Sequence, residues 1–301
     1  MLELMKQKIS PLIEQRTNVD YYLSKLSKDW LIGFIEAEGT FYGKNGNQII
    51  FSISQHLSDY YLILAIKIYL KVGKIQFYFR KDGRLGVELV VNNKEELIDT
   101  IIPLISNQLR TYKKWEQFNN WLKDNFHLSS TILNTNITPE WLTGFVDGDG
   151  SFFVKINKSK THIVGYNVRA VFDITQITSE IYLLKQIDNK YLQNKGTYSQ
   201  SGSVTHLVIS DFKTLITVVE PFFIENLILT RKSIDFLLWR EILRIIEMKE
   251  HRIQSGLSKI LELRTLQQFH RNEIHYSILE EIKKIRPDWR DKLEKMLNSK
   301  N

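Results

Sequence analysis

Residues 30–41 read WLIGFIEAEGTF and residues 141–152 read WLTGFVDGDGSF. Six of the twelve positions are identical and five more are conservative, at an offset of 111 residues. A string repeated at this quality marks an internal duplication. Read as helices, the two segments place Gly33 and Ala37, and Gly144 and Gly148, at four-residue spacing, so each carries a stripe of very small residues on one face. Two such stripes can pack with their backbones nearly touching. Both helices then end together at Gly39 and Gly150, residues suited to stopping a helix, with Glu38 and Asp149 side by side at the bottom of the interface. Acids at helix C-termini oppose the helix dipole and repel one another. Such an arrangement calls for a partner, and a divalent cation with oxygen ligands is one. A single acid at a helix end would be a solvated surface group; two in one register against a glycine are not. Glu36 and Asp147 lie on a different face and fit capping or core hydrogen bonds better than metal binding.

The duplication extends outward. Each motif is followed by a β-type stretch ending in Gln, IIFSISQH (49–56) and AVFDITQI (170–177), then by an amphipathic helix, 58–70 and 179–192. Two further strands follow in each half, GKIQFYFR with LGVELVV and GTYSQSG with VTHLVIS, and a helical segment closes each unit at 94–105 and 211–223. KKWEQFNNW (113–121) then matches RKSIDFLLW (231–239), pairing Lys114 with Lys232, Phe118 with Phe236 and Trp121 with Trp239. Each half therefore reads α-β-β-α-β-β-α-α. Ser27 and Thr138-Pro139 supply capping hydroxyls at the two motif helices. The expected organisation is an unrepeated extension (1–26), a first half (27–125), a polar linker (126–137), a second half (138–250) and a helical tail (251–301) packed over the second half.

Composition narrows the class. The 301 residues carry 41 Lys+Arg against 34 Asp+Glu, a net charge of +7 that favours a polyanionic partner. There is no cysteine, which excludes disulfide scaffolds, Cys-ligated zinc, iron–sulfur clusters and thiol nucleophiles. Apolar runs fall far short of a membrane span, so no membrane is expected as a partner, and the N-terminus has no apolar signal core. Thirty-seven Ile against three Ala, with 28 Lys against 13 Arg, point to AT-rich codons and an organellar or bacterial genome.

Leu31–Gly39 and Leu142–Gly150 resemble the paired motifs of a single-chain LAGLIDADG homing endonuclease, and the repeat order resembles that fold over about residues 28–250. The resemblance implies an α+β, pseudo-twofold αββαββα duplication, with two antiparallel sheets forming a saddle over the DNA major groove and paired motif helices at its centre. It implies a site-specific, metal-dependent staggered double-strand break by phosphodiester hydrolysis in a long DNA site, made by a monomer. The family's metal-binding acids fall on Glu38 and Asp149, with Ala37 and Gly148 beside them as further metal-site positions. Mg2+ is the expected ion, Mn2+ a substitute, and Ca2+ is expected to support binding without cleavage. Gln55 and Gln176 resemble the position that orders water near the scissile phosphate. Lys232, with Lys114 as its counterpart, resembles the basic residue that stabilises phosphate charge, although Arg231 or Lys113 could take that role.

On this resemblance, the polar face of the strands is the one that reads DNA. Lys74, Gln76, Tyr78 and Arg80 alternate with Ile75, Phe77 and Phe79. Tyr42, Lys44, Ser52 and Ser54 extend the set in the first half; Ser151, Phe153, Lys155, Asn157, Asn167, Arg169, Asp173 and Thr175 form it in the second. Donors and acceptors along such a ribbon suit base edges in the major groove, and the two halves differ enough to expect an asymmetric site. The alternatives are an RNA maturase on the same scaffold, acting on its host intron RNA, and a non-catalytic DNA-binding regulator. Acids at both 38 and 149 argue against lost cleavage, no helix-turn-helix is evident, and the chain ends LNSKN, unlike an intein. The AT-rich composition suits a mitochondrial origin.

Overall fold

The computed structural model describes residues 2–43, 48–81, 84–130, 134–270 and 274–289. An N-terminal extension forms α1 (Leu2–Gln15) and α2 (Val19–Leu23). The first half comprises α3 (Lys28–Glu38), β1 (Gly39–Tyr42), β2 (Ile50–His56), α4 (Tyr60–Leu70), β3 (Lys74–Phe79) and β4 (Leu85–Val91). It continues through α5 (Lys94–Glu96), a π-turn (Leu97–Ile101), α6 (Ile102–Ile105) and α7 (Tyr112–Phe126). The second half repeats this order as α8 (Pro139–Asp149), β5 (Gly150–Lys158), β6 (Tyr166–Ile177), α9 (Ile181–Tyr191), β7 (Thr197–Ser201) and β8 (Val204–Ile209). It closes with α10 (Phe212–Thr214), a π-turn (Leu215–Val219), α11 (Glu220–Glu225) and α12 (Lys232–Glu247). The tail adds α13 (Gln254–His270) and α14 (Tyr276–Ile285).

The segments expected at 94–105 and 211–223 as plain helices each contain that π-turn, just ahead of Pro103 and Pro221. Proline cannot donate into the helical ladder, and the wider turn accommodates the lost bond.

Each half has one antiparallel four-stranded sheet, ordered β1-β2-β4-β3 and β5-β6-β8-β7. The motif helices α3 and α8 lie between them. Ser27 and Thr138 cap the helices by accepting the Trp30 and Trp141 N–H groups at 3.1 and 3.2 Å. Leu31, Phe34 and Ile35 of α3, with Leu142, Phe145 and Val146 of α8, are fully buried, each contributing about 1.5–3 kcal/mol of burial free energy. Glycine sets the helix separation. A Cβ on Gly33 would overlap the Trp141 carbonyl oxygen, and one on Gly144 would overlap that of Trp30, so only hydrogen fits at either crossing point.

Both helices stop at Gly39 and Gly150, but not by the left-handed turn that helix-ending glycines commonly adopt. Their backbones are extended (φ −71° and −90°) and lead straight into β1 and β5. Glycine is needed there for space: added Cβ atoms would crowd Ile35 and Val146 one turn back.

The tail does not confine itself to the second half. α13 joins Ile9 and α12 in a small core over β5 and β6, through Leu257, Ile260 and Leu263. α14 instead returns to the first half: Ile278, Leu279 and Ile282 join the main core, Ser277 accepts from the Tyr61 hydroxyl, and Trp289 packs on Phe79. Among the described residues, no helix is long and apolar enough to cross a membrane.

Candidate active site

The motif helices carry two acids each in their last turn, and the pairs are used differently. Glu36 accepts the Arg110 and Thr111 N–H groups just ahead of α7 and, across the helix pair, the Trp141 indole N–H at 2.8 Å. Asp147 repeats this arrangement with the Leu229 and Thr230 N–H groups ahead of α12 and the Trp30 indole at 3.0 Å. Burial raises both pKa values, and the backbone N–H bonds oppose it. All their visible bonds go to fixed protein donors, as a structural role requires.

Glu38 and Asp149 end the helices and face two separate cavities. The first, about 470 Å3, is lined by Glu38, Gln55, Gly148, Arg231 and Lys232. The second, about 260 Å3, is lined by Asp149, Gln176, Ala37, Lys113 and Lys114. Each cavity thus takes its helix-end acid and its glutamine from one half and its lysine from the other, and the first cavity also takes Arg84 from the half that supplies Glu38.

Burial pushes the Glu38 carboxyl up, opposed by a hydrogen bond from Gln55 and the charge of Lys232. Asp149 is pushed up to about 6, first by burial and then by Glu38, even though Gln176 Nε2 donates to it at 2.5 Å. The Glu38 charge thus disfavours ionisation of Asp149 across the helix pair. Lys232 donates to the Val146 and Gly148 carbonyls at 2.7 and 2.9 Å, and Lys114 to the Gly39 carbonyl at 2.5 Å. Burial lowers both lysine pKa values, and nearby carboxylates resist it: Asp147 and then Asp149 at Lys232, Asp149 and then Glu36 at Lys114.

The donor set suits a hard divalent cation. Among the described residues no cluster of three His, Asp or Glu that could hold a metal forms, and in each cavity the helix-end acid stands beside a backbone turn of the opposite helix. Mg2+ binds in this way, through one or two carboxylates, with water and substrate phosphate filling the other positions.

The sheet faces present the remaining residues. In the first half Tyr42, Lys74 and Gln76 are exposed, and Tyr78 and Arg80 are partly so. Tyr78 lies across Gly86, where a Cβ would collide with its ring. Ser52 shares this face by its register opposite Thr40 but is only 1 % exposed. Ser54 donates to Glu88 at 2.9 Å. Lys44 lies outside the described residues.

In the second half Lys155, Asn157 and Arg169 are exposed, with Ser151, Phe153, Asn167, Asp173 and Thr175 partly so. The Lys155 ammonium lies 5.7 Å from the Phe153 ring centre. Asp173 and Thr175 bond to His206 at 3.0 and 2.9 Å.

Glu88 and His206 occupy matching places on β4 and β8, opposite Ser54 and Thr175, and were missed from sequence. Their signal was the one ionisable residue within each of LGVELVV and VTHLVIS. Also missed were two acids that cross between halves. Glu180 accepts the Tyr112 and Lys113 N–H groups at the head of α7, and Asp59 accepts the Arg231 N–H at the head of α12. No local pattern marks either.

Residues 31–124 and 142–243 both match the LAGLIDADG endonuclease family. An uncharacterized cox1 intron-2 protein of Schizosaccharomyces pombe is 32% identical over 240 residues, covering 77% of this chain and 69% of the relative. A probable intron-encoded endonuclease of Neurospora crassa is 29% identical over 153 residues; the match covers 50% of this chain but only 32% of that longer protein. Among solved structures, I-SmaMI bound to an uncleaved DNA target in the presence of calcium ions superposes with a TM-score of 0.66 at 26% identity, covering 80% of this chain and 98% of that one.

Proposed function

We propose, on the premise that the chain belongs to the LAGLIDADG endonuclease family, that it is a site-specific homing endonuclease making a metal-dependent, staggered double-strand break in a long, asymmetric DNA site. The observation that carries this reading is the pair of cavities, each joining an acid and a glutamine of one half to a lysine of the other. Two centres related by the pseudo-twofold at one helix interface suit two scissile phosphates on opposite strands. A relative of the same fold is described on a DNA target with calcium present, which supports DNA as the substrate and a divalent ion as the cofactor.

On this reading, Glu38 with the backbone at Gly148, and Asp149 with the backbone at Ala37, would hold the metal. The bound ion, Mg2+ with Mn2+ as a substitute, supplies Lewis-acid stabilisation of phosphate charge and an acidified water. Gln55 and Gln176 orient their acids and order water beside them. Lys232 and Lys114 spend some of their three N–H donors on helix-end carbonyls and keep the ammonium in place to meet charge developing on the phosphate. The sheets position the duplex: Lys155 and Arg169 with phosphates or guanine edges, Gln76 and Asn157 with base edges. Glu88 opposite His206 in the pseudo-twofold makes the two half-sites chemically unequal. A single chain holding both centres suffices as a monomer. The Ile-rich, Ala-poor composition and the cox1 intron relative support a mitochondrial origin.

The test is Glu38→Gln and Asp149→Asn, each assayed for DNA cleavage in Mg2+ and for binding in Ca2+. Both variants lose cleavage and keep specific binding within a small factor. Equal collapse of binding would make the acids structural and the assignment wrong. Specific binding by a wild-type chain that never cuts would favour the maturase or the regulator.

A further inference from the structure

The two cavities are not equivalent: among the described residues, the N-terminal extension bonds to a lining residue of the Glu38 cavity and to none of the Asp149 cavity. Arg16 follows α1, is 7 % exposed, and pairs through Nη2 with Oδ1 of Asp59. Its Nη1 donates to the Ser233 hydroxyl, one residue past Lys232, at 3.3 Å. Asp59 is 1 % exposed, lines the cavity that holds Glu38, Gln55 and Lys232, and accepts the Arg231 N–H at 2.7 Å through the same Oδ1. Its other oxygen is buried without a hydrogen-bond partner.

Glu180 is the counterpart across the pseudo-twofold and holds the Lys113 N–H at 2.7 Å. Among the described side chains of the extension, none bonds to Glu180. A carboxylate at a helix head satisfies free N–H groups and meets the positive end of the dipole. At Asp59 the extension adds a paired cation to this, and a buried ion pair that loses one partner leaves the other charge uncompensated. The head of α12, and with it Lys232, is thus held by a relay of Arg16, Asp59 and Arg231 that the head of α7 does not share.

We propose that Arg16 and Asp59 are positioning residues for the Lys232 centre alone, so that the unrepeated extension is a working part of one of two cleavage centres. This rests on the endonuclease reading above. It makes the two strands respond differently to loss of the pair.

The experiment uses the full chain and a supercoiled plasmid bearing a site that the wild type recovers by cutting a randomised DNA library in Mg2+. Arg16→Met combined with Asp59→Asn removes both charges together, leaving no orphaned buried ion. End-labelling each strand should show one strand slowed about tenfold and the other within about twofold, as loss of precise positioning predicts. Nicked plasmid then accumulates ahead of linear. Arg16→Lys, which keeps the charge, restores most of the slowed rate. Glu180→Gln slows the opposite strand.

Equal slowing of both strands, with or without a lower urea midpoint, would mean a merely structural role and overturns the proposal. So would no slowing, or the same strand slowed by both perturbations. A wild type that cuts no member of the library removes the endonuclease reading, and this inference falls with it.

Discussion

Replacing Gly144 with alanine tests the helix crossing on which both cavities depend. Helix propensity alone favours the change by about 1 kcal/mol. Packing opposes it. The added Cβ would overlap the Trp30 carbonyl oxygen and lie 2.9 Å from the Trp30 carbonyl carbon and 3.0 Å from the Phe34 nitrogen. All three are backbone atoms of α3, so no side-chain rotation relieves them. Reaching ordinary contact requires the helices to part by roughly 1 Å, a gap that forfeits a quarter to a half of each dispersion contact along the seam. Overpacking of this kind costs about 1–3 kcal/mol, and with backbone on the other side the upper end applies. The expected net loss is about 2 kcal/mol, or a fall of roughly 1 M in the urea midpoint followed by far-UV circular dichroism. Gly148→Ala is the companion variant. Its Cβ meets the Ala37 methyl and lies 3.2 Å from Glu38 Cγ, so it costs less stability while crowding the acid. A Gly144→Ala midpoint at or above that of the wild type would refute the close crossing.

Asp149 carries a pH signature. With its pKa pushed up to about 6 from 3.8, its contribution to stability is complete below about pH 4 and is lost as pH rises through 6. Asp149→Asn is therefore expected to be more stable than the wild type at pH 8 by up to roughly 3 kcal/mol, with the advantage vanishing near pH 4. A difference independent of pH would contradict this. Since metal binding needs the ionised acid, cleavage by the wild type should also rise as pH passes 6, and a flat profile from 5 to 8 would disagree. Glu36→Ala strands the buried Arg110 and Thr111 N–H groups and the Trp141 indole. A loss of about 3 kcal/mol is expected in urea unfolding, and less than 1 kcal/mol would mean these bonds are replaced by water.

Much of this architecture was legible because it is local or repeated. The small-residue stripe, the acid–glycine helix ends and the Gln at the end of β2 and β6 each appear twice in the sequence, and repetition separates design from coincidence. Alternation in GKIQFYFR correctly separated the face of Lys74 and Gln76 from that of Phe77. That Glu36 and Asp147 face different surroundings from Glu38 and Asp149 was also readable, since residues two apart on a helix point in different directions.

The unread part consists of contacts between elements far apart in the chain. Periodicity tells which face of α14 is apolar, but not that it returns to the first half instead of covering the second. Asp59 and Glu180 sit in SDYY and SEIY, where an acid near a helix start looks like ordinary capping of its own helix. Each instead holds the head of a helix in the opposite half, a partner that exists only once α3 and α8 have crossed. The Gly39 and Gly150 stops were placed correctly for a different physical reason, close approach to Ile35 and Val146 in place of a left-handed backbone.

The central claim is that two acid-bearing cavities at one helix crossing hydrolyse the two strands of a DNA site. Its most direct test is incubation of the purified chain with a randomised DNA library in Mg2+ and, separately, in Ca2+, with Glu38→Gln alongside. The account predicts discrete double-strand breaks at one sequence in Mg2+, specific binding without breaks in Ca2+, and no breaks from the variant. Breaks that persist in Glu38→Gln, or the absence of any Mg2+-dependent break despite specific binding, would contradict it.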